Sequence, residues 1–101
     1  MTIEITTEGN KITGTLVGRL DTAAAVQFAT DMQPLVDNAD KEITLVCNGL
    51  EFISSSGLRL FLTLRKATMA KGGKVIITGI SPEIKQVFTI TGFNSLFEFI
   101  D

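Results

Sequence analysis

The sequence predicts an α/β fold: a mixed sheet of four to five strands with about three to four helices, in the order β-β-α-β-α-β-α-β. Three observations carry this expectation. The apolar period starts at two, changes to the helical 3.6, and alternates with short β-branched runs thereafter. Capping residues stand at the start of helical stretches, and glycines stand at the ends of the later ones. After an opening hairpin, each strand is reached through a helix, which argues for parallel neighbours joined by right-handed crossovers.

The elements follow in order. In "TIEITTEGNKITGTLVGRL", Ile3 and Ile5 alternate with polar neighbours, as in a half-buried strand. Glu8 to Asn10 is a turn signal, and Ile12, Gly14 and Leu16 share one face of a second strand. Asp21 and Thr22 are good caps for "AAAVQFATDMQPLV", a helix near residues 22–36. Its apolar stripe is Ala25, Phe28, Ala29, Met32, Leu35 and Val36, and Pro34 predicts a kink or an early stop. "EITLVC" is a continuous run that suits a strand covered on both faces.

A helix is predicted near residues 57–71, with Leu58, Phe61, Leu62 and Met69 inward. Arg59, Thr63, Lys66 and Ala70 fall on its outer face, and Gly72 and Gly73 stop it. "KVIITGI" reads as another buried-type strand. Ser81, Pro82 and Glu83 then mark the start of a helix near residues 82–91. Gly92 ends it, and "LFEFI" is a last short strand.

Composition bounds the function. The 101 residues are expected to form one domain, residues 1–101, able to bury a core without disulfides. The formal charge is −2 with no basic cluster, which argues against nucleic-acid binding. Met1–Asn10 is polar and alternating rather than secretory in pattern. No apolar run approaches the roughly 20 residues of a membrane span, so no direct membrane insertion is expected. Cys47 is alone in "ITLVC" and reads as a buried small hydrophobe. With no histidine and one cysteine, no metal or other cofactor is expected. A cytoplasmic protein fits this set.

The chemistry-bearing stretch is "LEFISSSGLRLF", residues 50–61, where three serines stand between a strand and a helix. In open α/β sheets, sites lie at the carboxyl ends of strands. One serine suffices as a helix cap, with the others filling the turn. A serine nucleophile needs a base, and the chain has no histidine. "ISSSGL" lacks the glycine two residues before the serine of a nucleophile elbow. A phosphate-binding loop needs more glycines and a lysine before its helix. The other functional reading is a serine that accepts a phosphate covalently. The positive end of a helix stabilises such added charge. Arg59 is placed to meet a phosphate and is equally compatible with a solvated surface role.

These segments together resemble the STAS domain family, and more closely its free-standing bacterial anti-sigma factor antagonists. The resemblance is carried by "VGRLDTAAA", "LEFISSSGL", "GGKV" and "SPEIKQVFTITGF", in that order across nearly the whole chain. It implies a non-enzymatic regulator. Unphosphorylated, such a protein binds an anti-sigma factor that is also a serine kinase, and so frees a sigma factor. The kinase phosphorylates the turn and ends the association, and a metal-dependent serine phosphatase restores it.

The family motif Asp-Ser-(Ser/Thr)-Gly-Leu places the acceptor at Ser55, with Ser54 at the aspartate position and Ser56, Gly57 and Leu58 following. Ser54 and Ser56 compete as acceptors. Ser54, Ser56, Gly57, Arg59, Thr63 and Lys66 are expected at the partner surface. Asp21 joins them through "RLD", where the family often carries an acidic residue; capping the first helix is an equal role for it. Two other readings remain: a STAS-like accessory subunit of a lipid-transport ATPase assembly, and a general protein-interaction domain.

Overall fold

The computed structural model describes residues 1–100. Two strands form the expected hairpin: β1 (Thr2–Glu8) and β2 (Lys11–Leu20), antiparallel, with Ile3 opposite Leu16 and Ile5 opposite Gly14. Three parallel strands follow, β3 (Glu42–Ile53), β4 (Lys74–Thr78) and β5 (Glu98–Ile100). The sheet order is β1-β2-β3-β4-β5, so sequence order and spatial order coincide. The helices between these strands are α1 (Thr22–Asp31), α2 (Gln33–Asp37), α3 (Ser55–Lys71) and α4 (Pro82–Ile90). A short 3₁₀ turn, Asn94–Leu96, leads into β5.

This topology explains one departure from expectation. Strand after strand is added on the same side, so successive right-handed crossovers bring their helices to the same face. The core therefore forms on one face of the sheet, from Ile12, Leu16, Ile43, Leu45, Val75 and Ile77 against the helices. β3 is not covered on both faces. Ile43, Leu45 and Cys47 are buried, whereas Thr44 and Val46 between them are half-buried. β4 comes closer to the expectation, since Val75, Ile76 and Ile77 are all buried, yet Ile76 lies outside the continuous core. The row at the start of these strands is charged: Glu42 pairs with Lys11 at 3.6 Å and with Lys74 at 3.4 Å.

The predicted first helix is two helices. α1 ends at Asp31, and Pro34 stands in the first turn of α2, where its missing N–H costs nothing. The stripe runs through Ala25, Phe28, Met32 and Leu35 as expected, but Ala29 is exposed. α3 starts at Ser55, two residues earlier than predicted, because the serines themselves supply its cap and first turn. Leu58 and Phe61 face inward as predicted; Leu62 is only half-buried and Met69 is 64% exposed. Leu64 and Thr68 hold the inner positions instead. At 100° per residue Met69 lies about 80° away from Phe61, while Thr68 is nearly in phase. Thr68 tolerates burial because its hydroxyl donates to the Arg65 carbonyl at 2.7 Å.

The remaining punctuation follows the sequence. Gly72 closes α3 with φ 83°, and the Gly73 N–H returns to the Thr68 carbonyl at 2.9 Å. Ser81 caps α4, with its hydroxyl accepting from the Ile84 N–H at 3.3 Å. Phe61 anchors the core through Phe28, Phe88 and Phe97, with ring centroids 6.3, 5.9 and 6.4 Å away.

Candidate functional site

The three serines occupy the junction between β3 and α3, and each has a different position. Ser54 is the cap: its backbone is extended, with φ −87° and ψ 168°. Its hydroxyl oxygen accepts from the Gly57 N–H at 3.1 Å, and its carbonyl accepts from the Leu58 N–H at 2.9 Å. Ser55 is the first helical residue and is exposed. Ser56 is the second and is half-buried. The N–H groups of Ser55 and Ser56 have no acceptor among the described residues, since the capping bond goes to Gly57. Ser55 thus combines an open hydroxyl with free amide donors beside it.

The turn is held rigidly from below. The Ser54 N–H donates to the Leu20 carbonyl at 2.8 Å, which continues the β2–β3 ladder to its last position. Gly57 is buried in α3, and a Cβ there would lie 2.6 Å from Leu20 Cγ and 2.8 Å from its Cδ2. The glycine is needed for close approach of α3 to β2, since its backbone is ordinary right-handed helix.

Asp21 follows Leu20 directly. Its carboxylate accepts from the Ala24 N–H at 2.8 Å, so it caps α1. Two helices therefore begin side by side, at the carboxyl ends of two adjacent strands, tied by the Ser54–Leu20 bond. The α3 cap is neutral and the first turn of α3 holds no acidic side chain. The positive end of this helix is uncompensated by its own residues.

Beyond the turn, α3 presents Arg59, Thr63 and Lys66 outward, all exposed. Arg59 is the fifth residue of α3 and makes no ion pair among the described residues. The Thr63 hydroxyl donates to the Arg59 carbonyl at 3.0 Å, which fixes its rotamer along the helix. Of the seven predicted surface residues, Asp21, Ser54 and Ser56 stand with Ser55 where the two helices begin, and Arg59, Thr63 and Lys66 are exposed on α3, but Gly57 is buried against Leu20 and offers a partner no surface of its own. Sequence reasoning missed Arg19 and Phe52, which are paired across β2 and β3 just before the turn. The Arg19 guanidinium carbon stands 4.6 Å from the Phe52 ring centroid. The signal was in the sequence, as an aromatic two residues ahead of the cap.

The junction is an open surface. Hollows lie elsewhere, one of about 210 Å³ bordered by Arg65, Thr68, Lys74 and Glu98. Among the described residues no three His, Cys, Asp or Glu side chains are grouped to hold a metal. Cys47 is buried and its thiol pKa is pushed up to about 12 by desolvation, so it is neutral at physiological pH. No helix among the described residues is long and apolar enough to cross a membrane.

Comparison with known proteins is consistent across sequence and fold. The family model described as STAS domain matches residues 2–101. A Bordetella bronchiseptica protein, provisionally named anti-sigma factor antagonist BtrV, is 32% identical over 92 residues, 87% of this chain and 79% of the relative. A crystal structure from Thermotoga maritima, described with a similar provisional name, superposes with a TM-score of 0.87 at 18% identity, covering 98% of this chain and 86% of that one. The anti-sigma factor antagonist SpoIIAA in its unphosphorylated form gives a TM-score of 0.75 at 22% identity, covering 99% and 88%. The phosphorylated form from Bacillus gives 0.73 at 22% identity, covering 99% and 92%. At these identities the solved structures establish a shared fold.

Proposed function

This chain belongs to the STAS domain family, and from that premise we propose that it is an anti-sigma factor antagonist switched by phosphorylation of Ser55. The names of its relatives support the antagonist role. One observation carries the choice of residue: Ser55 is exposed at the first position of α3, while Ser54 is engaged as the cap and Ser56 is half-buried. Residues 1–101 act as a single cytoplasmic binding unit with no cofactor and no enzymatic activity of their own. The partners are an anti-sigma factor serine kinase and a metal-dependent serine phosphatase.

In the unphosphorylated state the serine turn and the outer face of α3 bind the kinase, and the sigma factor is released. Asp21, Ser54, Ser56, Gly57, Arg59, Thr63 and Lys66 form or support that surface. The kinase then transfers the γ-phosphoryl group of ATP to Ser55 Oγ. A new O–P bond forms, the bond to the β-phosphate oxygen breaks, and the serine proton passes to a base of the kinase. The product carries roughly two negative charges at the positive end of α3, beside the free Ser55 and Ser56 N–H groups. Phosphorylation therefore leaves the fold intact. It ends binding through charge and bulk at a surface that was matched to a neutral hydroxyl.

Ser54 stands where the family motif has an aspartate. The neutral cap keeps the N-terminus of α3 free to compensate the phosphate. The test is binding of variants to the cognate kinase. Ser55→Asp folds and binds weakly, whereas Ser55→Ala binds and accepts no phosphate. Equal binding of Ser55→Asp and the unmodified protein would refute the switch.

A further inference from the structure

Six of the seven phenylalanines are buried or half-buried, and Phe52 alone is exposed, at 39%. Phe28, Phe61, Phe88, Phe97 and Phe99 join in one chain of ring contacts, and Phe93 packs against the core. Phe52 faces away from that cluster, at the carboxyl end of β3. Its ring is covered on one side by Arg19, its register partner on β2. Val17, two residues before Arg19, is 50% exposed. Opposite it stands Gly49, which has no side chain to cover it.

An exposed aromatic contributes little to this fold. An exposed cation–π pair supplies only a small stabilisation, and 39% of Phe52 is still left open to water. Aromatic and arginine side chains at a surface are, by contrast, the residue types that dominate protein interfaces. The pair is also fixed in space relative to the serine turn. Phe52 is two residues from Ser54, and the Leu20 carbonyl next to Arg19 accepts the Ser54 N–H at 2.8 Å. The last rungs of one ladder thus carry both features.

We propose that Arg19 and Phe52, with Val17 beside them, form a second binding element for the same kinase that engages the serine turn. This rests on the reading of that turn as the kinase-binding surface. The kinase must place a nucleotide phosphate at Ser55, so its surface extends over the neighbouring end of the sheet. The matching patch on the kinase is apolar with an acidic side chain, taking the ring and the Arg19 guanidinium, which has no ion pair among the described residues. The element lies on the uncovered side of the sheet, away from the outer face of α3. It therefore sets specificity independently of Lys66 and Arg59.

The experiment measures affinity for the purified anti-sigma factor kinase of the same organism, loaded with a non-hydrolysable ATP analogue. Phe52→Ala weakens binding on the order of tenfold, as expected for an aromatic anchor. Arg19→Ala, which keeps the ring, weakens it less but measurably. Met69→Ala, an exposed apolar change at the far end of α3, binds as the unmodified protein does. Thermal midpoints of all three are recorded, so that Arg19→Ala decides the matter if Phe52→Ala unfolds. Unchanged affinity in Arg19→Ala and in a folded Phe52→Ala overturns this proposal and leaves the Ser55 switch standing if Ser55→Asp still binds weakly. Absence of any binding by the unmodified protein overturns both.

Discussion

Gly57 and Leu20 are in contact across the α3–β2 boundary so closely that a methyl group on Gly57 would come within 2.6 Å of Leu20 Cγ. In a helix, glycine to alanine ordinarily stabilises by up to about 1 kcal/mol. Here overpacking opposes that gain and costs about 1–3 kcal/mol. Gly57→Ala is therefore expected to be neutral to clearly destabilising, never more stable. Urea denaturation checks this, and a rise in the unfolding midpoint would show that α3 has room to move away from β2.

The serines separate by role. Ser54→Ala removes the acceptor for the Gly57 N–H and costs about 1 kcal/mol, the usual loss for a cap. For a domain of this size that corresponds to a fall of about 4–8 °C in Tm. Ser55→Ala removes an exposed hydroxyl that makes no bond within the described residues, and stays within about 0.5 kcal/mol. Calorimetry of the two variants distinguishes a structural serine from a functional one.

Much of this arrangement was legible because its signals are local. Asp21, Ser81, Pro82 and Gly72 each act within one turn of chain, and each stands where the sequence put it. The serine junction was legible for the same reason. The remainder depends on tertiary context. Met69 looks like core by hydropathy, but its angle on α3 turns it outward, and the less apolar Thr68 is buried with its hydroxyl satisfied within the helix. β3 reads as a strand buried on both faces, but its crossovers leave one face without helices. Phe52 carried no burial expectation, and its exposure goes with a break in strand register between Gly18 and Arg19.

Cys47 gives a pH prediction. Burial raises its thiol pKa from an ordinary 9.0 to about 12. Between those values the unfolded chain loses the thiol proton while the folded chain keeps it. Stability from this group is therefore fully present below pH 9 and falls as pH rises towards 12, by up to about 1.4 kcal/mol per pH unit. Relative to Cys47→Ala, the unmodified protein should lose stability more steeply across that window. Parallel slopes in the two proteins would show that the thiol is not desolvated. The same burial predicts no labelling by a thiol reagent at pH 7 until the protein unfolds.

Lys66 tests the placement of the partner surface on α3. It is exposed and pairs with no acidic side chain among the described residues. Lys66→Glu is expected to leave stability within about 0.5 kcal/mol. It should weaken kinase binding, mainly through the association rate, with the effect shrinking at high salt. Association kinetics at two ionic strengths provide the check, and identical rates for both proteins would move the interface off this face.

The central claim is that one hydroxyl of the three is the switch. The most direct measurement incubates the protein with its cognate kinase and ATP, then maps the phosphate in the peptide that spans residues 50–61 by mass spectrometry. The expected result is a single phosphate on Ser55, with Ser54→Ala and Ser56→Ala still modified there and Ser55→Ala unmodified. Phosphate on Ser54, or on none of the three, would contradict the account.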